Sequence, residues 1–231
     1  MSNHIEPRAV FVVVPAFNEQ QTLSLVVDGL LERKYSVVVV DDGSEKNLQH
    51  LLQKRRVFFL RHRINLGQGA ALQTGIEFSL SKGAAYIVTF DADGQHDPDD
   101  IGQLLQPLVT SQADIVLASR FMSSTTGTIP FTRKLVLRTA RFINYFFTGL
   151  LLTDAHNGLR AMTAKAARLM QLEENRMAHA SEILLKIRKE KLRYVEVPAR
   201  VHYTDYSRAK GQSGWNGFRI VFDLLLNKIF R

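Results

Sequence analysis

The chain of 231 residues contains no cysteine. This lack excludes a disulfide framework, a zinc site built from thiolates and a cysteine nucleophile. The chain also lacks an apolar run of the roughly 18 to 20 residues that a membrane-spanning helix needs. The short apolar run near the N-terminus is interrupted by Pro15, and we therefore expect no signal peptide.

The charges are unevenly distributed. Residues 129–231 hold 19 of the 30 Lys and Arg residues but 8 of the 22 Asp and Glu residues. A hydrophobic content of 45% argues against a disordered chain, so the excess positive charge of residues 129–231 belongs to a folded protein. A basic half favours an anionic partner, such as a nucleic acid, a membrane surface or a phosphorylated substrate, and the alternative is an ordinary solvated surface.

Apolar runs of strand length alternate with segments of helical periodicity in the first half. Strands are predicted at 9–14, 36–40, 57–60, 85–90 and 114–118, with helices at 23–31, 68–80 and after Pro98. In the second half we predict helices at 130–152, 180–189 and 218–230 and strands at 157–162 and 192–201. Continuous apolar strands between helices predict an α/β fold, with a mostly parallel sheet covered by helices on both faces.

Polar clusters follow four of the predicted strands, at residues 15–19, 41–44, 91–95 and 119–120. Sheets of this kind bind ligands outside the carboxyl ends of their strands. Because the ends of parallel strands lie at one edge of the sheet, we expect the four clusters to converge there.

Asp91 and Asp93 are the sharpest chemical signal, because two carboxylates one residue apart at a strand end can share a divalent cation. Mg²⁺ or Mn²⁺ prefers such oxygen ligands and completes its shell with phosphate oxygens and water. Gln95 adds a neutral carbonyl ligand. The alternative is a polar loop that caps the helix after Pro98.

Two other segments have open interpretations. Asp41 and Asp42 either bind a nucleotide base or ribose or belong to a turn that caps a helix. The glycines of residues 65–70 permit a close backbone approach before a helix N-terminus, as in a phosphate loop. A simple packing turn explains them equally well.

The segments PAFNE, VVDDGS, NLGQGAALQTG, FDADGQHDP and ASR occur in this order. Together they resemble the GT-A domain of family 2 glycosyltransferases, over about residues 9–215. More narrowly, they resemble the branch that contains dolichyl-phosphate mannose synthase and bacterial polyprenyl-phosphate glycosyltransferases. The resemblance implies a Rossmann-like GT-A domain over 1–215, and we expect an amphipathic helix over 216–231.

The resemblance implies a nucleotide-sugar site and a metal site. The metal ligands for Mg²⁺ or Mn²⁺ are Asp91, Asp93 and Gln95. The residues expected to bind the nucleotide sugar are Pro15, Phe17, Glu19, Val39, Asp41, Asp42, Gln68, Asp91, Ala92, Asp93, Arg120, Arg208 and Lys210. Many relatives have Tyr in place of Phe17, so a hydroxyl contact is lost. Gly214 stands where this branch often has Lys, and Lys210 is the expected substitute.

Later motifs imply an acceptor site. Arg160 ends a segment that resembles the family pattern D-x-x-x-G-x-R and either binds an acceptor phosphate or pairs with Asp154. Glu182 matches an acidic position of the family, or is a solvated helix residue. The expected acceptor-binding residues are Arg133, Arg138, Arg160 and Ser213, and the expected catalytic residues are Asp91, Asp93, Arg120, Asp154 and Glu182.

The resemblance therefore implies an inverting, metal-dependent glycosyltransferase that moves a hexose from a GDP- or UDP-sugar to a polyprenyl phosphate. An ionised phosphate acceptor needs charge pairing rather than a general base. We expect a peripheral protein on the cytoplasmic face of the membrane, with a membrane-protein partner, no nucleic acid, and a role in cell-envelope polysaccharide synthesis. The alternatives are transfer to a sugar hydroxyl, with Asp154 or Glu182 as base, and a non-catalytic binding protein.

Overall fold

The computed structural model describes residues 6–122, 145–146, 148–155, 157–176 and 178–202. The strands are β1 Val10–Ala16, β2 Ser36–Asp41, β3 Phe58–Arg61, β4 Tyr86–Thr89, β5 Ile115–Ser119, β6 Arg160–Thr163 and β7 Tyr194–Pro198. The helices are α1 Leu23–Glu32, α2 Gln68–Ser81, α3 Asp100–Val109, α4 Ala164–Leu169 and α5 His179–Lys189, with short 3-10 helices at Pro7–Ala9 and Leu48–Leu52.

The strands form one seven-stranded sheet in the order β3-β2-β1-β4-β6-β5-β7. Every neighbouring pair is parallel except that β6 runs antiparallel to both β4 and β5. Arg160, the first residue of β6, lies opposite Thr89 near the end of β4 and opposite Leu117 in β5. The reversed strand therefore brings an arginine to the edge where its parallel neighbours end.

Each face of the sheet carries its own apolar core. Alternate residues of β1, such as Val12 and Val13, enter opposite cores, which explains why β1 is buried along its whole length. The helices α1 and α3 cover one face, and α2, α4 and α5 cover the other. The predicted α/β fold with a mostly parallel sheet is thereby confirmed.

The predicted elements of the second half need correction at their ends. The helix predicted over 130–152 is wrong at its C-terminus, because Gly149 adopts a left-handed φ of 72° and residues 150–152 are not helical. The strand predicted over 157–162 begins at Arg160, because the Asn157 side chain accepts the Leu159 N–H at 3.0 Å and forms a turn. The last strand is shorter than predicted and ends at Pro198.

Several predictions fall outside the described residues. They concern Arg133, Arg138, Arg208, Lys210 and Ser213 and the C-terminal helix over 216–231. Among the helices of the described ranges, none has the length and apolar character required to cross a bilayer.

Candidate active site at the carboxyl edge of the sheet

Loops that follow β1 and β2 meet at the carboxyl edge of the sheet. The backbone N–H of Asn18 donates to Ser44 Oγ at 2.9 Å, and Asn18 Oδ1 accepts the N–H of Glu45 at 3.1 Å. Asn18 has a left-handed φ of 58°, which asparagine tolerates better than most residues. The two loops are therefore fixed to each other beside the end of β4.

The predicted nucleotide contacts near β1, β2 and β4 differ in accessibility. Pro15, Val39 and Ala92 are buried within the sheet and its first turns, and Glu19 is half-buried. Phe17 is 42% exposed at the edge, where its ring is open to a ligand.

Asp41 is completely buried, and its carboxylate organises the turn after β2. It accepts the N–H groups of Ser44 at 2.9 Å and Leu48 at 3.4 Å, and Arg61 Nε lies 3.4 Å from it. These contacts correspond to the turn and cap alternative. A nucleotide contact of Asp41 stays a prediction.

The Asp42 carboxylate likewise organises the loop that precedes α2. Its carboxylate accepts the N–H groups of Leu66 at 3.0 Å and Gly67 at 2.7 Å, and His62 Nδ1 lies 2.7 Å away. Asp42 therefore sets the position at which α2 begins, and its nucleotide contact likewise stays a prediction.

The glycine-rich segment of residues 65–70 packs against another part of the protein. Gly67 has a φ of 108°, and a β-carbon there would overlap the carbonyl group of Asn175. A β-carbon at Gly69 would overlap the carbonyl oxygen of Glu174. Both glycines are thus explained as a packing turn. From the same turn, Gln68 Nε2 donates to Asp91 Oδ1 at 3.0 Å and joins the site.

Asp91 and Asp93 differ in their electrostatic surroundings. Burial raises the pKa of Asp91, but the hydrogen bond and charge of His96 and the charge of Arg160 outweigh it, so the net shift is downward. His96 Nε2 lies 3.3 Å from Asp91 Oδ2. Burial, followed by the charge of Asp91, raises the pKa of Asp93. Its own surroundings therefore stabilise the charge of Asp91, whereas burial and the charge of Asp91 disfavour ionisation of Asp93.

The donor set fits a hard divalent cation. The side chain of Asp91 is 26% exposed, and Asp93 and Gln95 are half-buried in the same loop. Carboxylate and amide oxygens are the ligands that Mg²⁺ and Mn²⁺ prefer. The set consists of two carboxylates and one amide, and within the described part of the chain no group of three or more His, Cys, Asp or Glu residues could hold a metal ion.

Arg120 and Asp154 form one unit. Arg120 Nε and Nη2 donate to the Asp154 oxygens at 2.7 and 2.8 Å, and the Arg120 N–H donates at 3.1 Å. Burial raises the pKa of Asp154, but its contacts with Arg120 together outweigh burial. The net shift is downward, so the carboxylate is held ionised. The two predicted catalytic residues are therefore bound to each other, and Asp154 has its oxygens engaged by a guanidinium.

Arg160 lies beneath the site with 2% of its surface exposed. Burial lowers its pKa to about 10, against the opposing charges of Asp91 and Asp154. The segment that ends at Arg160 therefore supplies Asp154 to Arg120 and a buried positive charge that acts on both acids.

Glu182 is engaged in holding a loop. Its carboxylate accepts the N–H groups of Glu173 and Glu174, each at 2.9 Å, and Lys186 Nζ lies 3.4 Å away. This loop supports the glycine-rich turn before α2. A catalytic role of Glu182 stays a prediction.

Sequence reasoning missed two residues of this edge. Gly158 lies against the Asp91 carboxylate, and Glu196 of β7 binds the loop that carries Asp154. A lone acid in the otherwise uncharged strand YVEVP was the available signal for Glu196. Gly158 is the glycine of the D-x-x-x-G-x-R pattern, but its contact with Asp91 could not be predicted from that pattern, because the contact depends on how β4 and β6 pair.

Comparisons with known proteins agree with this architecture. The family described as glycosyl transferase family 2 matches residues 11–169. A UDP-N-acetylglucosamine–dolichyl-phosphate N-acetylglucosaminyltransferase from Methanococcus voltae is 32% identical, over 96% of this chain and 97% of its own. An undecaprenyl-phosphate mannosyltransferase from Micrococcus luteus is 28% identical, over 92% of this chain and 91% of its own.

A solved structure supports the fold. Glucosyl-3-phosphoglycerate synthase from Mycobacterium tuberculosis, in complex with Mn²⁺, UDP and phosphoglyceric acid, superposes with a TM-score of 0.66. The identity is 18%, over 95% of this chain and 78% of that one, so this likeness concerns the fold. With the family match over most of the chain and a full-length relative above 30% identity, the protein belongs to glycosyl transferase family 2 and is a glycosyltransferase.

Proposed function

We propose that the protein transfers a hexose from a nucleotide-diphosphate sugar to a polyprenyl phosphate, with inversion at the anomeric carbon. The observation that carries this proposal is the charge arrangement at one sheet edge. The carboxylate of Asp91 is subject to the buried positive charge of Arg160, Asp93 lies in the same loop, and Arg120, at the end of β5, is held by Asp154. Such a site suits two anionic substrates, a donor whose diphosphate binds a cation and an acceptor that carries its own phosphate.

The donor half of the reaction places growing negative charge on the departing nucleotide diphosphate. A positioned positive group that meets this charge provides a large part of catalysis. Arg120 is suited to that task because Asp154 fixes its guanidinium and its backbone. Asp91, Asp93 and Gln95 would hold Mg²⁺ or Mn²⁺. The cation, when bound, neutralises charge on the diphosphate.

The acceptor half favours a phosphate over a sugar hydroxyl. A hydroxyl acceptor needs a general base. The two candidate bases, Asp154 and Glu182, have their oxygens engaged by Arg120 and by backbone N–H groups. A polyprenyl phosphate is already ionised and needs no base. The relatives from Methanococcus voltae and Micrococcus luteus are named for transfer to dolichyl phosphate and undecaprenyl phosphate, which supports this choice.

A lipid acceptor implies that the protein works at a membrane surface. We propose that it binds peripherally to the cytoplasmic face, where nucleotide sugars are available. The basic excess of residues 129–231 suits an anionic surface.

The test is nucleotide release by the purified protein from a panel of UDP- and GDP-sugars with Mg²⁺ or Mn²⁺, with and without undecaprenyl or dolichyl phosphate. We expect release that requires one donor, the cation and the lipid phosphate. Release that ignores the lipid but rises with a glycan would replace the proposal by the hydroxyl-acceptor reaction. No release, with no metal-dependent nucleotide binding, would contradict both.

A variant pair tests the metal assignment. Asp93→Asn is expected to abolish transfer while the far-ultraviolet circular dichroism spectrum stays unchanged. Asp99→Asn is the matched control, since Asp99 is an exposed acid that pairs with Arg33 at 2.6 Å on the outer surface. Turnover by Asp93→Asn at the rate of the unmodified protein would rule out this cation site.

A further inference from the structure

Glu196 is an acid in the middle of β7, opposite Leu117 of β5. Its neighbours Val195 and Val197 pack into one apolar core, so alternation along the strand directs Glu196 to the other face. On that face it meets the loop of residues 153–154. A charged residue in such a strand is costly unless its oxygens find donors.

The Glu196 carboxylate finds four donor contacts in two successive residues. The N–H of Thr153 lies 2.9 Å from each oxygen, Thr153 Oγ1 lies 2.9 Å from Oε1, and the N–H of Asp154 lies 3.1 Å from Oε1. The backbone that presents Asp154 is therefore held by this one side chain.

The same carboxylate orients a relay of hydroxyl groups. An ionised carboxylate can only accept, so Thr153 Oγ1–H donates to Glu196. Ser119 Oγ, at 2.6 Å, then donates to Thr153 Oγ1 and accepts the N–H of Phe121 at 3.2 Å. Ser119 and Phe121 are the two neighbours of Arg120, so the relay fixes the chain on both sides of it.

Glu196 thus reaches Arg120 by two routes. One passes through Asp154, which binds the Arg120 guanidinium and N–H, and the other passes through Thr153 and Ser119. We propose that Glu196 is a positioning residue for Arg120, which sets the geometry in which that guanidinium meets the substrate diphosphate. This inference rests on the proposed function of the site.

Glu196→Gln tests it, because the variant keeps the shape of the side chain but replaces one accepting oxygen with a donor. We expect kcat to fall by about 10- to 100-fold, the range for a small misplacement of a catalytic group. The KM for the donor is expected to change much less. An unchanged kcat would overturn the proposal.

Asp114→Asn is the matched control. Asp114 precedes β5 and joins it to β7 through Arg193 at 2.9 Å, at the opposite end of the same two strands. The Asp114→Asn variant weakens the contact between β5 and β7 at the end remote from Arg120, so kcat is expected to stay unchanged. An equal loss of kcat in both variants would mean that Glu196 supports the fold alone.

A double variant separates positioning from general stability. If Glu196 acts partly through Asp154, Glu196→Gln and Asp154→Asn together lose less kcat than the product of their separate losses. Losses that multiply fully would overturn the route through Asp154.

Hydrogen exchange gives a readout that does not depend on activity. Glu196→Gln is expected to speed exchange of the amides of Arg120, Phe121, Thr153 and Asp154 by about 10-fold or more, while Asp114→Asn leaves them protected. Unchanged protection in Glu196→Gln would overturn the positioning role. If exchange changes but the unmodified protein transfers no sugar, the proposed function fails and the structural link between Glu196 and Arg120 stands.

Discussion

Gly158 packs directly against the carboxylate of Asp91, and a β-carbon at position 158 would overlap Oδ2. The loop has little freedom to move away, because the Gly158 carbonyl oxygen accepts a hydrogen bond from Thr89 Oγ1 at 2.6 Å. The backbone of the turn before β6 thus limits the positions open to the Asp91 carboxylate after β4.

Gly158→Ala is therefore expected to displace the Asp91 carboxylate and lower kcat/KM by about 100-fold, since small misplacements in a site have effects of this size. Steady-state nucleotide release and the cation concentration for half-maximal rate measure the effect. Gly102→Ala is the control, because Gly102 is an exposed helical residue with open space around its α-carbon. Gly102→Ala should leave the rate unchanged and stabilise the protein by about 0.5–1 kcal/mol. A normal rate in Gly158→Ala would show that Asp91 tolerates the shift.

Asp41→Asn and Asp42→Asn are each expected to lower the free energy of unfolding by about 2–3 kcal/mol. The reason is that buried N–H groups after β2 and before α2 lose an accepting carboxylate. Urea unfolding measures the loss. Glu45→Gln is the control, because Glu45 is exposed in the same loop. A variant that keeps full stability but weakens nucleotide binding would instead identify its aspartate as the nucleotide contact.

The sheet was predictable from the sequence because continuous apolar runs reveal strands buried on both faces. The reversal of β6 was not, since periodicity contains no information on strand direction. Its direction matters to function, because it brings Arg160 to the edge at which β4 and β5 end.

The Asp91–Asp93 loop was predictable as part of a site, since parallel strands bring such loops to one edge. The surroundings of Asp42 and Glu182 were not. Whether a carboxylate faces a ligand or a backbone N–H depends on contacts with distant segments, as in the bond from Gly67 to Asp42. Motif position alone does not distinguish these cases.

The pair of Asp154 and Arg120 predicts a particular acid sensitivity. Burial raises the pKa of Asp154, but the hydrogen bonds and charge of Arg120, together with the hydrogen bond from Asn157, bring it below the ordinary value. A depressed pKa in the folded state means that the stabilisation is complete above the unfolded pKa of about 3.9 and is lost as the pH falls through the folded-state pKa.

Asp154→Asn should therefore destabilise the protein at neutral pH. We expect a loss in the lower part of the range of about 2–4 kcal/mol, because Arg120 is partly exposed. The difference from the unmodified protein should shrink as the pH falls below 4. Urea unfolding at pH 7, 5, 4 and 3 measures it. A difference that stays constant across this series would mean that the Asp154 charge contributes nothing to stability.

Glu182→Gln distinguishes a catalytic base from a loop support. The carboxylate accepts two backbone N–H groups from residues 173–174, and a glutamine has only one accepting oxygen for them. We expect a loss of about 1–2 kcal/mol in the free energy of unfolding, while turnover stays within about 3-fold of normal. Glu173→Gln is the control, because that side chain is 84% exposed beside the same Lys186. If turnover instead falls by about 100-fold or more while stability is unchanged, Glu182 is the general base and a hydroxyl acceptor is favoured.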